Sequence, residues 1–207
     1  MGFGLTPNPN PNPNLVTGLT RYDAEWFLTM RTRASRLLAR YVRPKPHIRR
    51  AVDAFWEAHF APGATVLGVH MRGTDKRAEI GGEIVPASHY MAHMDGYLSA
   101  HPDALILLAT DSPRFLREMR ARYGAKLVAR EALRSERNAF LEAGATMKKG
   151  EDVLVDALLL SRASFLLKSS SAVGEFAIYF NLSLHERSLD LQYVSGGEAN
   201  ASVISGT

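Results

Sequence analysis

Cysteine is absent from the 207 residues. No disulfide can staple the fold, and no thiolate can hold zinc or an iron–sulfur cluster. That fits a reducing compartment. Also missing is any apolar run of membrane-spanning length. The first residues have neither the basic segment nor the apolar core of a secretion signal, so the cytoplasm is the default expectation. Charge of one sign is not in strong excess: 25 basic and 21 acidic side chains leave +4, which does not by itself argue for nucleic acid.

What is present is ordinary for a globular protein, with 46% hydrophobic and 22% charged residues. The length suits one good-sized domain with a real core, or one domain plus an accessory helical segment. Residues 1–20 carry a Pro-Asn repeat from Pro7 to Asn14 that cannot build a core, and they read as a loop or disordered segment. Residues 21–60 read as helical. From Tyr22 to Tyr41 a stripe of Tyr22, Trp26, Met30, Ala34, Leu37 and Tyr41 is expected inward, with Phe27 and Leu38 beside it. Arg31, Arg33, Arg36 and Arg40 mostly face away. They read as a solvated face, with a basic nucleic-acid-binding helix as the alternative. After Pro44-Lys45-Pro46 a second helix runs from Ile48 to Phe60, with Ile48, Val52, Phe55 and His59 in register.

Residues 61–194 alternate strand and helix. Val66 to Val69, Ala104 to Thr110, Lys126 to Ala129 and Phe165 to Lys168 read as strands, and Leu182 to Arg187 as an edge strand. Helices are expected over Ala87 to Ala100, from Ser112 as N-cap with Pro113 first to Tyr123, over Val153 to Ala163 and over Ala172 to Phe180. A short helix is expected around Ala139 to Ala143, and residues 195–207 read as a frayed tail. The alternation predicts an α/β fold: a Rossmann-like parallel sheet with helices on both faces.

In such sheets ligands sit at the carboxyl ends of the strands. Three strand ends carry suitable groups. His70, Arg72, Asp75 and Lys76 crowd the first, with Gly73 allowing a tight turn; the cations suit an anion such as phosphate. Asp111 follows the second. Ser169, Ser170 and Ser171 lead straight into a helix, where free amides and hydroxyls bind anions or simply cap. Asp156 lies alone on an apolar helix; such a carboxylate must be paired or meet a ligand, and the two readings stay even. His89 and His93 have i,i+4 metal-ligand spacing but no acidic third ligand, so they and His101 read as surface histidines. His59 reads as a helix-end residue.

These residues together resemble the GDP-fucose-dependent fucosyltransferases, the alpha-1,6 type and its NodZ-like bacterial relatives. That family carries His-x-Arg-Arg-Thr-Asp-Lys at a strand end; here it is His70-Met71-Arg72-Gly73-Thr74-Asp75-Lys76. It carries Ala-Thr-Asp-Asp-Pro before a helix; here it is Ala109-Thr110-Asp111-Ser112-Pro113. It carries an apolar helix with an inner Asp, then Leu-Ser, a strand and a Ser-Ser turn, matched by Asp156, Leu160-Ser161, Phe165 to Lys168 and Ser170-Ser171. The resemblance covers about Arg43 to Phe180.

The resemblance implies the donor-binding C-terminal half of a GT-B glycosyltransferase. It implies an inverting, metal-free transfer of fucose from GDP-fucose to a glycan acceptor. Arg72 would hold the β-phosphate, with Lys76 beside it. His70 and Asp156 would contact guanine, and Ser170 and Ser171 the phosphates, with Gly73, Asp75 and Asp111 completing the donor site. Glu79 would be the general base, with Glu83 as the alternative. No cofactor, nucleic acid or membrane segment is expected. Gly73 stands where the family has a second arginine, and the N-terminal half that helps form the acceptor cleft is expected to be missing. If the chain is a piece of a longer protein, the Golgi lumen becomes the expected location.

Overall fold

The structure is a computed structural model that describes residues 21–73, 84–132, 134 and 146–192. Helices α1 (Arg21–Tyr41) and α2 (Pro46–His59) precede the sheet. Then follow β1 (Val66–Met71), α3 (Ala87–Ala100), β2 (Leu105–Thr110), α4 (Pro113–Tyr123) and β3 (Leu127–Val128). The second half is α5 (Thr146–Leu160), β4 (Phe165–Lys168), α6 (Ala172–Phe180) and β5 (Ser188–Asp190). Every strand pair is parallel, and the order is β3-β2-β1-β4-β5.

All six β1 residues are buried, as expected of a central strand covered on both faces. Their alternation sorts the layers. Leu67, Val69 and Met71 join Tyr90, Met94 and Tyr97 of α3 and Phe115 and Met119 of α4 in one core. Val66 joins Ile48 and Val52 of α2, Val155 and Leu159 of α5 and Ile178 of α6 in the other. Each large side chain so buried contributes roughly 1.5–3 kcal/mol. Gly68 lies on the α5 side, where a Cβ would come 2.9 Å from the Cβ of Ala163; the close approach of that turn to the sheet requires glycine.

The strand order reverses between β1 and β4, so the crevice of a doubly wound sheet opens at the ends of those two strands. Both helices that begin beside it are capped as serine dictates. Ser112 Oγ accepts from Phe115 N at 3.3 Å, with Pro113 opening α4, and Ser171 Oγ accepts from Val173 N at 3.3 Å.

Several expectations need correction. The face of α1 is shifted: Phe27 is buried and Arg33, Arg36 and Arg40 are exposed as expected, but Arg31 is buried, while Met30, Leu37 and Tyr41 are 40%, 57% and 68% exposed. Arg31 is drawn in by both carboxylate oxygens of Glu175 and by His185, with its guanidinium 4.6 Å from the Phe27 ring centroid. Strand β1 runs to Met71, so His70 belongs to the strand. Helix α5 starts at Thr146 rather than after Gly150 and stops at Leu160, where Ser161 Oγ donates to the Leu158 carbonyl. Instead of an edge strand, Leu182–His185 is a 3-10 helix. Asn181 imposes it by accepting from Ser183 N while donating to the Ser161 carbonyl, and pairing begins only at Ser188.

His93 is buried rather than on the surface, and His89 is half-buried 5.4 Å from it, ring to ring. Burial pushes both imidazoles below their ordinary pKa, with His89 adding to the effect on His93. His59 does sit at a helix end, its Nδ1 donating to the Phe55 carbonyl at 2.8 Å. The helix expected near 139–143 lies outside the described residues. Among the described residues no helix is long and apolar enough to cross a membrane.

Candidate functional site

The ends of β1 and β2 are stitched into one rigid edge. Thr110 Oγ1 donates to the Met71 carbonyl at 2.7 Å and accepts from Ser112 N at 3.2 Å. Asp111 then takes two partners from the chain leaving β1: Gly73 N donates to its Oδ1 at 2.8 Å, and Arg72 Nε lies 3.4 Å from its Oδ2. Asp111 therefore orients Arg72. A Cβ on Gly73 would stand 2.8 Å from Ser112 Cβ and 3.1 Å from the Phe115 ring. That contact is the physical reason for glycine where the resembled family has arginine.

His70, two residues before Arg72, is buried in β1 on the side facing α5 and α6. With Arg72, Thr110 and Asp111 it lines a cleft of about 540 Å³, open mouth included. The opposite wall is α5, through Lys149, Asp152, Val153 and Asp156, with Val173 from the first turn of α6. Arg130, just after β3, pins this wall. Its Nε donates to Asp156 Oδ1 at 3.1 Å, its Nη1 to Asp152 Oδ1 at 2.8 Å and its Nη2 to the Asp152 carbonyl at 3.0 Å. Burial pushes the Asp156 carboxyl above the usual range, while Arg130 works in the opposite direction. Arg134 ties the same segment to the sheet, donating to the carbonyls of Thr110 at 3.1 Å and Arg130 at 2.6 Å.

At the third strand end, the serine turn joins β4 to α6. Ser171 accepts from Val173 N as the cap, which leaves its own proton able to point outward. Ser170 instead donates its proton to Asp190 Oδ2 at 2.9 Å.

The fold thus brings His70, Arg72, Asp111 and Asp156 into one cleft; Gly73 lines a separate hollow with Ser112 and Phe115, and the Ser170-Ser171 turn stands at the head of α6, outside the cleft's lining. Asp75, Lys76, Glu79 and Glu83 lie outside the described residues. Sequence reasoning missed Arg130, Arg134 and Lys149. The signal for Arg130 was available: a carboxylate on an apolar helix demands a counter-charge, and the charged stretch after β3 could supply it. Among the described residues no three His, Cys, Asp or Glu side chains converge as a metal site.

No protein-family model matches the chain, and no curated protein does. Among solved structures it is similar to NodZ alpha-1,6-fucosyltransferase soaked with GDP-fucose: TM-score 0.49, 23% identity, 72% of this chain and 49% of that one. It is also similar to a mutant of Arabidopsis thaliana FUT1 in complex with GDP: TM-score 0.43, 13% identity, 67% of this chain and 31% of that one. The chain spans about half the length of NodZ, 49%.

Proposed function

We propose that the cleft binds a GDP-sugar, GDP-fucose by its motif set, and that the chain is the donor-binding part of a fucosyltransferase-like enzyme. One observation carries this reading: His70 and Arg72 from the first motif, Asp111 from the second and Asp156 from the third line one cleft beside the switch point and the head of α6. Arg72, oriented through Nε by Asp111, would meet the β-phosphate. The Ser171 hydroxyl and the first amides of α6 would meet the diphosphate. Asp156, with Oδ1 held by Arg130, would offer Oδ2 to the guanine N1–H and exocyclic amine, a donor pair adenine lacks.

In the transfer we propose, an acceptor hydroxyl attacks the anomeric carbon of fucose and inverts it. The hydroxyl proton passes to Glu79, with Glu83 as the alternative. The bond to the β-phosphate oxygen breaks, and GDP leaves with the electron pair, stabilised by Arg72 and Lys76 without a metal. The acceptor would be a glycan.

A second reading, a nucleotide-sugar-binding module without turnover, is favoured by the state of the carboxylates. Among the described residues the cleft's carboxylates are all arginine-bound: Asp111 to Arg72, and Asp152 and Asp156 to Arg130. Calorimetry with GDP, GDP-fucose, ADP and UDP, beside a fucose-transfer assay on the same sample, tests both. Binding selective for guanine supports the donor site, and turnover then separates enzyme from module. No preference for GDP over ADP and UDP would overturn the assignment.

A further inference from the structure

Behind the serine turn lies a buried ionic cluster that no step above uses. Arg31 of α1 and Lys168 at the end of β4 are each 1% exposed. Arg31 Nε and Nη2 hold Glu175 Oε2 and Oε1 at 3.0 and 2.7 Å. Its Nη1 lies 2.9 Å from His185 Nδ1; guanidinium has only donors, so Nδ1 accepts and the ring proton sits on Nε2. Lys168 Nζ bridges Glu175 Oε1 at 2.8 Å and Asp190 Oδ2 at 2.6 Å. The same Asp190 oxygen accepts the Ser170 hydroxyl at 2.9 Å, and its Oδ1 accepts Gln192 N at 3.0 Å. The stem of Lys168 runs under the first turn of α6, where a Cβ on Gly174 would lie 2.6 Å from Lys168 Cδ.

Two cations and two carboxylates are thus matched inside the protein. Burial works against both the Lys168 ammonium and the Glu175 carboxylate, yet each is held charged by its partners, Glu175 at about 2. Apolar residues of similar volume often stabilise an interior as well as buried ion pairs do. What the ions add here is placement. Lys168 enters the turn, Ser170 is its middle, Glu175 follows it in α6, and all three are tied to one network. Anion binding at a helix head depends on amides held at fixed positions.

We infer that Arg31, Lys168, Glu175 and Asp190 are positioning residues for the anion-binding turn Ser169-Ser170-Ser171, and that the Ser170 hydroxyl serves this network rather than the ligand. Helix α1, which precedes the sheet domain in sequence, thereby belongs to the machinery of the donor site. The inference rests on the nucleotide reading given above.

The test is calorimetry with GDP, inorganic pyrophosphate and guanosine on samples whose folding is checked by circular dichroism and thermal melting. The variants are Arg31→Met, Arg31→Lys, Asp190→Asn and the double variant Arg31→Met with Glu175→Gln. The double variant leaves the Lys168–Asp190 pair intact and strands no charge, so it guards against simple unfolding. Arg31→Met, Asp190→Asn and the double variant should each weaken GDP and pyrophosphate by about tenfold or more, in the range typical for supporting residues of a binding site. Guanosine binding should be unchanged, and Arg31→Lys should recover part of the loss. Unaltered GDP affinity in the folded double variant overturns the inference, as does equal loss of guanosine. A parent that binds pyrophosphate but not guanosine overturns the nucleotide reading and leaves the anion turn standing. A parent that binds none of the three overturns both.

Discussion

Arg130 Nε lies 3.1 Å from Asp156 Oδ1, and this contact ties the segment after β3 to the middle of α5 along the cleft wall. The Arg130→Met variant should strand Asp156 and Asp152 in a half-buried wall. We predict a stability loss of about 2–4 kcal/mol, read by urea denaturation. Pairing it with Asp156→Leu should recover much of that loss. A single variant as stable as the parent would show that the contact contributes nothing.

Gly73 should resist every side chain. Gly73→Ala drives a Cβ toward Ser112 and Phe115, at a cost of about 1–3 kcal/mol of overpacking. Gly73→Arg, which restores the family pattern, should weaken GDP binding rather than strengthen it, because the chain leaving β1 must shift and Asp111 loses its hold on Arg72. Tighter GDP binding in Gly73→Arg would contradict this.

Arg72→Ala should cost about 1.5–3 kcal/mol of GDP affinity, the contribution of a charge-assisted contact. Asp111→Ala should produce a smaller loss, by releasing Arg72 and the Gly73 amide. Both are measured by GDP titration. Equal affinity in Arg72→Ala and the parent removes the phosphate assignment.

Glu79→Gln should abolish transfer and leave GDP binding near the parental value, since a base acts on the acceptor. The same comparison on Glu83 identifies which of the two serves. Full turnover in both single variants takes these two carboxylates out of the chemistry.

Acid should destabilise the fold near neutral pH. Burial holds His89, His93 and His185 below the ordinary value of 6.5, with His89 adding to the effect on His93 and Arg31 to that on His185. The unfolded chain then binds more protons than the native one as pH drops below 6.5, so the stability from neutral imidazoles is full above 6.5 and lost below it. Glu175, held at about 2, stays ionised through this window. The melting temperature should fall by several degrees between about pH 7.5 and about pH 5.5, and His93→Gln should flatten that slope. A slope unchanged by the substitution would assign the acid sensitivity elsewhere.

Sequence alone settles the alternation of strands and helices, because buried parallel strands are apolar runs and the helices between them carry their own caps. Ser112 with Pro113, and Ser171, mark helix starts that the structure keeps. It also places Arg72, Asp111 and the serine turn at strand ends, since those positions follow from where each apolar run stops, whereas His70 proves to lie inside β1. Tertiary structure decides what depends on partners distant along the chain. Met30, Leu37 and Tyr41 of the apolar stripe of α1 lie exposed while Arg31 is buried against Glu175 and His185, 144 and 154 residues away, and no local periodicity encodes that attraction. Asp156 receives its counter-charge from Arg130, 26 residues before it. The 3-10 turn at Leu182–His185 displaces a strand because the Asn181 side chain bonds the end of α5. In each case one hydrogen-bonded or charged partner, brought close only by the completed sheet, outweighs the local hydrophobic pattern.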